Sequence, residues 1–383
     1  MIPYLRELVK GGHDLTLLTF EPGEVDEKAM RDSLAADSIE WEWLRYHKRP
    51  SVPATLYDIA NGVRMAVKIA RRKKIDIFHV RGHIPAPIGA IAKRICGGKL
   101  LFDIRGFLPE EYVDAGIWDE KGTVYKAFKR VERWAMKKAD GFVVLTEAAR
   151  DILFSDRVSD DTTADGRPFE VIPCCVDFSS HRSDGSDSWR QDIRKSLNLE
   201  DRKVIVYVGS LGGWYLTDEM FDFLECFLGE YPEMHAMILT QRDQNKVISQ
   251  LKARGFVEDQ FTVKGVPPSE VAKYLAAADV SISFIKNCYS KKSSSPTKIA
   301  EYLAAGLPII SNSGIGDLDE VITSNQVGAL VRDFSSESYR EAIRAVSALT
   351  EVRSRCVAVA NREFDLTNVG GAKYRRLYKR LVS

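Results

Sequence analysis

Twice along this chain, short runs rich in Val, Ile and Phe alternate with longer amphipathic stretches, and this alternation restricts the fold more than any other feature. Leu15 to Phe20 reads as a strand, as do Ile75 to Val80, Leu100 to Ile104, Gly141 to Leu145 and Phe169 to Ile172. Helical patterns lie between them, such as Ala54 to Lys73 and Gly122 to Lys138. After Asp177 the pattern stops, and Ser179 to Ser188 has no apolar anchor. It then restarts with strands at Val204 to Val208, Met237 to Leu239, Phe261 to Val263, Val280 to Phe284 and Pro308 to Ser311. Thr367 to Leu381 closes the chain as a basic amphipathic helix. Strands alternating with helices predict parallel sheets covered on both faces. The chain has 383 residues, beyond the size at which single cores stop growing. The expected class is therefore α/β, with two doubly wound Rossmann-like domains facing a central cleft. The first covers residues 1–178, a linker 179–200, and the second 201–365, with 366–383 returning to the first. In such sheets ligands sit at the carboxyl ends of the strands.

Several function classes drop out. The formal net charge is +1, which gives no whole-chain case for nucleic acid. No apolar run approaches the ~18 residues of a membrane helix. Met1 to Lys10 lacks the basic start and apolar core of a signal peptide, and the six cysteines show no Cys-x-x-Cys and no zinc spacing. A cytoplasmic protein with reduced thiols, no metal and no cofactor is expected. Gly209-Ser210-Leu211-Gly212-Gly213 has the wrong spacing for a dinucleotide fingerprint, and the phosphate-loop and nucleophile-elbow motifs are absent.

The informative stretch surrounds Ser295-Pro296-Thr297-Lys298-Ile299-Ala300-Glu301-Tyr302. Ser295 reads as an N-cap and Pro296 as the first helical residue, with the helix ending at Ala305 before Gly306. Free amides at Thr297 and Lys298, the nearby hydroxyls, the helix dipole and the Lys298 ammonium together suit a diphosphate. Glu301 lies on the Thr297 face one turn deeper, where its carboxylate would accept ribose hydroxyls. A plain Lys298–Glu301 surface pair on a capped helix explains the same residues equally well.

The segment resembles the nucleotide-sugar site of family 4 glycosyltransferases, the large retaining family with the two-domain GT-B fold. Pro296-Thr297-Lys298, Glu301-Tyr302, Ala304, Gly306 and Pro308 are followed by Gly314, Gly316 and Glu320-Val321-Ile322 in the family's order. Ala139-Asp140 with Val143 to Thr146, Ile172-Pro173 with Val176-Asp177, and Lys264-Gly265-Val266 with Ala278-Asp279-Val280 extend the likeness over nearly the whole chain. The resemblance implies that Glu301 holds the donor ribose, the helix tip the diphosphate, and the backbone near Val266 the base. It implies a UDP- or GDP-sugar donor, a glycan or lipid-linked acceptor, no metal, and a role in cell-surface polysaccharide assembly. A non-catalytic nucleotide-sugar-binding partner and a nucleotide-sugar epimerase of related fold are the competing readings.

The chain departs from the family in places. Ser293 stands where many members have a first carboxylate, and Gly209-Ser210 stands where they have Gly-Arg. Arg242 and Lys298 are the candidate replacement cations, with Lys286, Lys291 and Lys292 near in sequence. Asp103-Ile104-Arg105-Gly106 occupies the place of the family's His-Gly, so Arg105 replaces a histidine as the candidate catalytic residue; it cannot act as a base, and its expected role is to clamp an acceptor or sugar hydroxyl, or a phosphate. A front-face retaining mechanism, in which the leaving phosphate assists the incoming hydroxyl, tolerates that loss. His79, Arg81, Asp103 and Gly106 are expected on the acceptor side, with Glu110, Glu111 and Asp114 forming an acidic loop.

Two further expectations concern the first half. Lys68, Arg71, Arg72, Lys73 and Lys74 form one basic cluster. Lys126, Lys129, Arg130, Arg133, Lys137 and Lys138 form another, with Tyr125, Phe128 and Trp134 interleaved. Both suit peripheral contact with anionic lipid, or are simply solvated helix faces. The first pattern visible is a helix from Pro3 to Lys10, where the resembled fold has a strand and a Gly-containing loop before that helix. About twenty upstream residues are expected to be missing.

Overall fold

The structure is a computed structural model that describes residues 2–178 and 186–383. The chain divides into two compact units, one of residues 1–173 with 366–383 and one of residues 174–365. Twelve strands are described: β1 (Leu15–Glu21), β2 (Ile39–Arg45), β3 (Ile77–Arg81), β4 (Lys99–Asp103), β5 (Gly141–Val144), β6 (Phe169–Val171), β7 (Lys203–Val208), β8 (Met234–Leu239), β9 (Phe261–Lys264), β10 (Val280–Ser283), β11 (Ile309–Asn312) and β12 (Gly328–Val331).

In the first unit β1 and β2 pair in parallel as a sheet of their own. A second parallel sheet runs β3-β4-β5-β6. Leu100, Phe102, Phe142, Val144 and Phe169 fill its core. Gly89 lets the helix Pro85–Cys96 lie on this sheet, because a Cβ there would stand 2.3 Å from Val80 and 2.8 Å from Leu100. The last helix, Ala372–Val382, belongs to this unit and follows a wide turn over Leu366–Gly371.

The second unit is one six-stranded parallel sheet in the order β12-β11-β10-β7-β8-β9. Alternate residues of β7 point to opposite faces, so Val204 and Val206 join one core while Ile205 and Tyr207 join the other. The chain leaves β7 towards β8 on one side and reaches β10 on the other. Between β7 and β10 the strand order therefore reverses, which makes a crevice at their carboxyl ends.

Three expectations need correction. The stretch 179–200 is not a bare linker, since the helix Ser186–Ser196 lies within it. Asp279 anchors that helix, accepting Arg190 at 2.5 Å and Arg194 at 2.7 Å. The expected loop at 179–185 lies outside the described residues. The unit boundary falls at Pro173 rather than 178, because the Val176 amide bonds the Phe364 carbonyl at 3.0 Å in the second unit. Finally, β2 and β12 are strands the hydrophobic pattern left unassigned.

Candidate functional site

The crevice between β7 and β10 gathers most of the expected donor-binding residues. Strand β7 ends at Val208 and turns through Gly209, whose φ of 127° is a conformation that favours glycine. The chain then folds back over the exit of β10. Leu216 N–H bonds the Phe284 carbonyl at 3.1 Å, and Lys286 N–H bonds the Trp214 carbonyl at 2.8 Å. This return brings Trp214 and Tyr215 over the crevice. Below them runs the helix Thr297–Ala304. Its Tyr302 is fully buried and ties the helix to the sheet, accepting the Val208 amide at 2.8 Å.

The helix starts one residue later than expected. Pro296 is the N-cap, and no side chain among the described residues caps the helix. Ser295 is corrected from cap to tether: its hydroxyl accepts the Cys174 amide at 3.0 Å. The amides of Thr297 and Lys298 consequently have no acceptor among the described residues. Thr297 is exposed at the tip.

Lys298 is the unusual group. Its side chain turns inward rather than to solvent and is only 7% exposed. The ammonium has no hydrogen-bond partner among the described residues and lies 4.1 Å from the Tyr207 ring centre and 3.9 Å from that of Tyr215. A Cβ at position 209 would stand 3.2 Å from the same nitrogen, so the lysine points at the bare Gly209 backbone. Burial pushes the Lys298 ammonium down to about 7, and the nearby Glu301 opposes that only in part. A buried ammonium faced by aromatic rings, with no hydrogen-bond partner among the described residues, favours an added negative charge. The expected alternative, a Lys298–Glu301 surface pair, does not form within 4 Å among the described residues. Glu301 is half-buried, accepts no side-chain hydrogen bond there, and has its carboxyl pushed up by burial.

The other candidates sort clearly. Lys291 is buried, with its ammonium 3.9 Å from the Trp214 ring centre. Lys286, Lys292 and Arg242 are exposed. Ser210 presents its carbonyl to the Tyr207 hydroxyl at 2.5 Å. Val266 is buried and its carbonyl accepts Gln241 Nε2 at 2.5 Å. Ser293, at the position of the family's first carboxylate, is buried in the turn Tyr289–Ser293 and donates to the Ser290 carbonyl at 2.7 Å. The aromatic faces of Tyr207, Trp214 and Tyr215 were not anticipated as part of this site. Their packing against Lys291 and Lys298 joins separate segments of the chain, which local sequence does not show.

The acceptor-side candidates meet in the first unit, at the carboxyl ends of β3 and β4. Asp103 is fully buried at the centre of His79, Arg81 and Arg105, at 3.5, 3.8 and 3.6 Å. Tyr374 of the last helix donates to its Oδ2 at 2.8 Å, and Tyr378 meets His79 Nδ1 at 2.9 Å. Gly106 follows with a φ of 146°. Burial pushes the Asp103 carboxyl up, but His79, Arg105 and Arg81 outweigh it and hold it below the ordinary range. The expected acceptor-side Asp103 is instead fully enclosed by these partners. Its stabilising contribution is present above the unfolded value of 3.8 and is lost as pH falls through its lower folded value. Asp103→Asn should destabilise the unit by about 2–3 kcal/mol in chemical denaturation. The partial exposure of both arginines keeps it below the full loss for a buried pair.

Residues 4–180 match the family model described as Glycosyltransferase Family 4, and residues 190–362 match that of Glycosyl transferases group 1. This chain belongs to glycosyltransferase family 4. Among curated proteins, the family 4 chain is 23% identical to spore coat protein SA of Bacillus subtilis (strain 168), over 65% of this chain and 67% of that one. It is 24% identical to 2-deoxystreptamine glucosyltransferase of Streptomyces kanamyceticus, over 58% of this chain and only 57% of that one. Among solved structures, a glycosyltransferase from Rickettsia africae ESF-5 superposes with a TM-score of 0.69 at 15% identity, covering 97% of this chain and 99% of the other. HepE from Anabaena, solved with UDP and glucose, gives 0.66 at 16% identity, covering 97% and 100%. WaaG, a glycosyltransferase of lipopolysaccharide biosynthesis, gives 0.61 at 16% identity, covering 95% and 98%. The fold of this family 4 glycosyltransferase is GT-B.

Proposed function

We propose that this glycosyltransferase moves a hexose from a nucleotide-sugar donor, UDP- or GDP-linked, onto a glycan or lipid-linked acceptor with retention of configuration. Cell-surface polysaccharide assembly is the process this chemistry suits. The observation that carries the reading is the buried, unpartnered Lys298 ammonium beside Gly209 at an uncapped helix tip.

In this reading the donor diphosphate lies on the Thr297 and Lys298 amides and takes its counter-charge from Lys298. Glu301, one turn down the same face, accepts the ribose hydroxyls. Tyr207 and Tyr215 keep water from the ammonium, which strengthens its pull on charge developing in the leaving diphosphate. That stabilisation needs no metal ion. On the acceptor side Arg81 and Arg105, held by Asp103, orient the incoming hydroxyl. Neither arginine can act as a base, which a front-face retaining mechanism tolerates.

A thermal-shift panel of UDP-, GDP-, ADP- and CMP-sugars tests the donor assignment. One nucleotide should raise the melting temperature by several degrees, since ligand at a hundred times Kd adds about 2.7 kcal/mol. Transfer with that donor, read by the anomeric configuration of the product, then tests retention. Binding without transfer or donor hydrolysis would assign the chain to the non-catalytic class instead.

A further inference from the structure

The helix Thr123–Lys138 turns an unusual face outward. Its inner side is settled: Glu132 and Ala135 are buried, Tyr125 donates to Glu110 at 3.1 Å, and Phe128 packs near Trp118 and His83. Lys129 is also drawn in, bound to Glu132 and to Glu110. Two stripes remain on the outside. Val124, Ala127, Val131 and Trp134 recur every three or four residues and are all exposed. Lys126, Arg130, Arg133 and Lys137 recur in the same way, are exposed, and form the neighbouring stripe.

A solvated helix face has no reason to be apolar over more than two turns. Val124 is 48% exposed, Val131 42% and Trp134 37%. The basic stripe has no acidic neighbour on its own helix, because Glu132, the helix's only acid, faces inward. The earlier basic cluster differs, since Arg72 pairs with Glu42 and Lys73 with Glu40, and it carries no such argument.

We infer that this helix face is a docking surface for an anionic lipid bilayer, with Val124, Val131 and Trp134 entering the headgroup region. Lys126, Arg130, Arg133 and Lys137 meet the lipid phosphates alongside them. Apolar residues beside cations fit a lipid interface better than a nucleic acid, which offers no apolar layer for Val124 and Val131. The inference rests on the first unit alone and does not depend on the donor assignment.

The test is sedimentation with vesicles of phosphatidylcholine alone and of phosphatidylcholine with phosphatidylglycerol. The wild type should sediment with the anionic vesicles, and more weakly as salt is raised. A variant with Lys126, Arg130, Arg133 and Lys137 changed to Gln should lose at least a hundredfold in affinity, about fivefold per charge. A second variant, Val131→Ser with Trp134→Ser, should lose binding that high salt does not remove from the wild type. Circular dichroism and nucleotide binding should be unchanged in both, because every altered side chain is exposed. Equal sedimentation of wild type and variants, or none by the wild type, overturns the inference. So does wild-type binding to an oligonucleotide without binding to vesicles.

Discussion

Replacing Lys298 with Met should make the protein more stable and a far poorer nucleotide binder. The two effects have one cause. The folded ammonium sits near pH 7 against an ordinary 10.5, so the unfolded chain holds the proton more tightly. Lys298 therefore destabilises the fold fully below pH 7, and that cost disappears as pH rises towards 10.5. The shift alone corresponds to more than 4 kcal/mol at roughly 1.4 kcal/mol per unit, and the two ring contacts return part of it. Met fills the same space without charge, so a gain of about 1–3 kcal/mol is expected in urea or thermal unfolding. Nucleotide affinity should move the other way, falling about a hundredfold, because the diphosphate loses the counter-charge enclosed beside Gly209. A folded Lys298→Met protein that binds UDP and GDP as the wild type does would exclude Lys298 from the donor site.

Glu301→Ala is expected to weaken nucleotide binding tenfold to a hundredfold while leaving the fold intact. A charged hydrogen bond is worth about 1.5–3 kcal/mol, and the carboxylate has no side-chain hydrogen-bond partner among the described residues to leave stranded. Substrate truncation makes the result specific. The wild type should prefer a ribonucleoside diphosphate over its 2′-deoxy counterpart by about tenfold, and Glu301→Ala should bind the two equally. Glu301→Gln should fall between, since an amide oxygen still accepts a hydroxyl but carries no charge. If the mutant keeps the preference for ribose, some other group reads that hydroxyl.

How far these residues were legible in the sequence depends on the range of the contacts involved. The helix behind Thr297, Lys298 and Glu301 is local, so its periodicity and the Gly306 stop were readable within one residue of each end. The inward turn of Lys298 was not, because it depends on Tyr207 and Tyr215, which arrive from another strand and loop. Asp103 looked like a ligand contact for the same reason: the residue that encloses it, Tyr374, lies 271 positions further on. Ser295 has good N-cap chemistry, yet the Cys174 amide claims its hydroxyl. Strand β2 was a different kind of omission. Ile39-Glu40-Trp41-Glu42-Trp43 alternates apolar and acidic residues, a strand signal obscured by its high charge. Strand β12 begins at Gly328, a residue that reads as a break.

The most direct test of the donor site is proton uptake on nucleotide binding. Titration calorimetry at pH 8, in two buffers of different ionisation enthalpy, measures it for UDP or GDP, whichever raises the melting temperature. A diphosphate placed against Lys298 should restore its charge, so close to one proton should enter with each nucleotide. Affinity should then fall about tenfold per pH unit above 7. Lys298→Met should take up none and show a flat pH profile. Tight binding by the wild type with no proton uptake would contradict the account, because the diphosphate would then lie elsewhere.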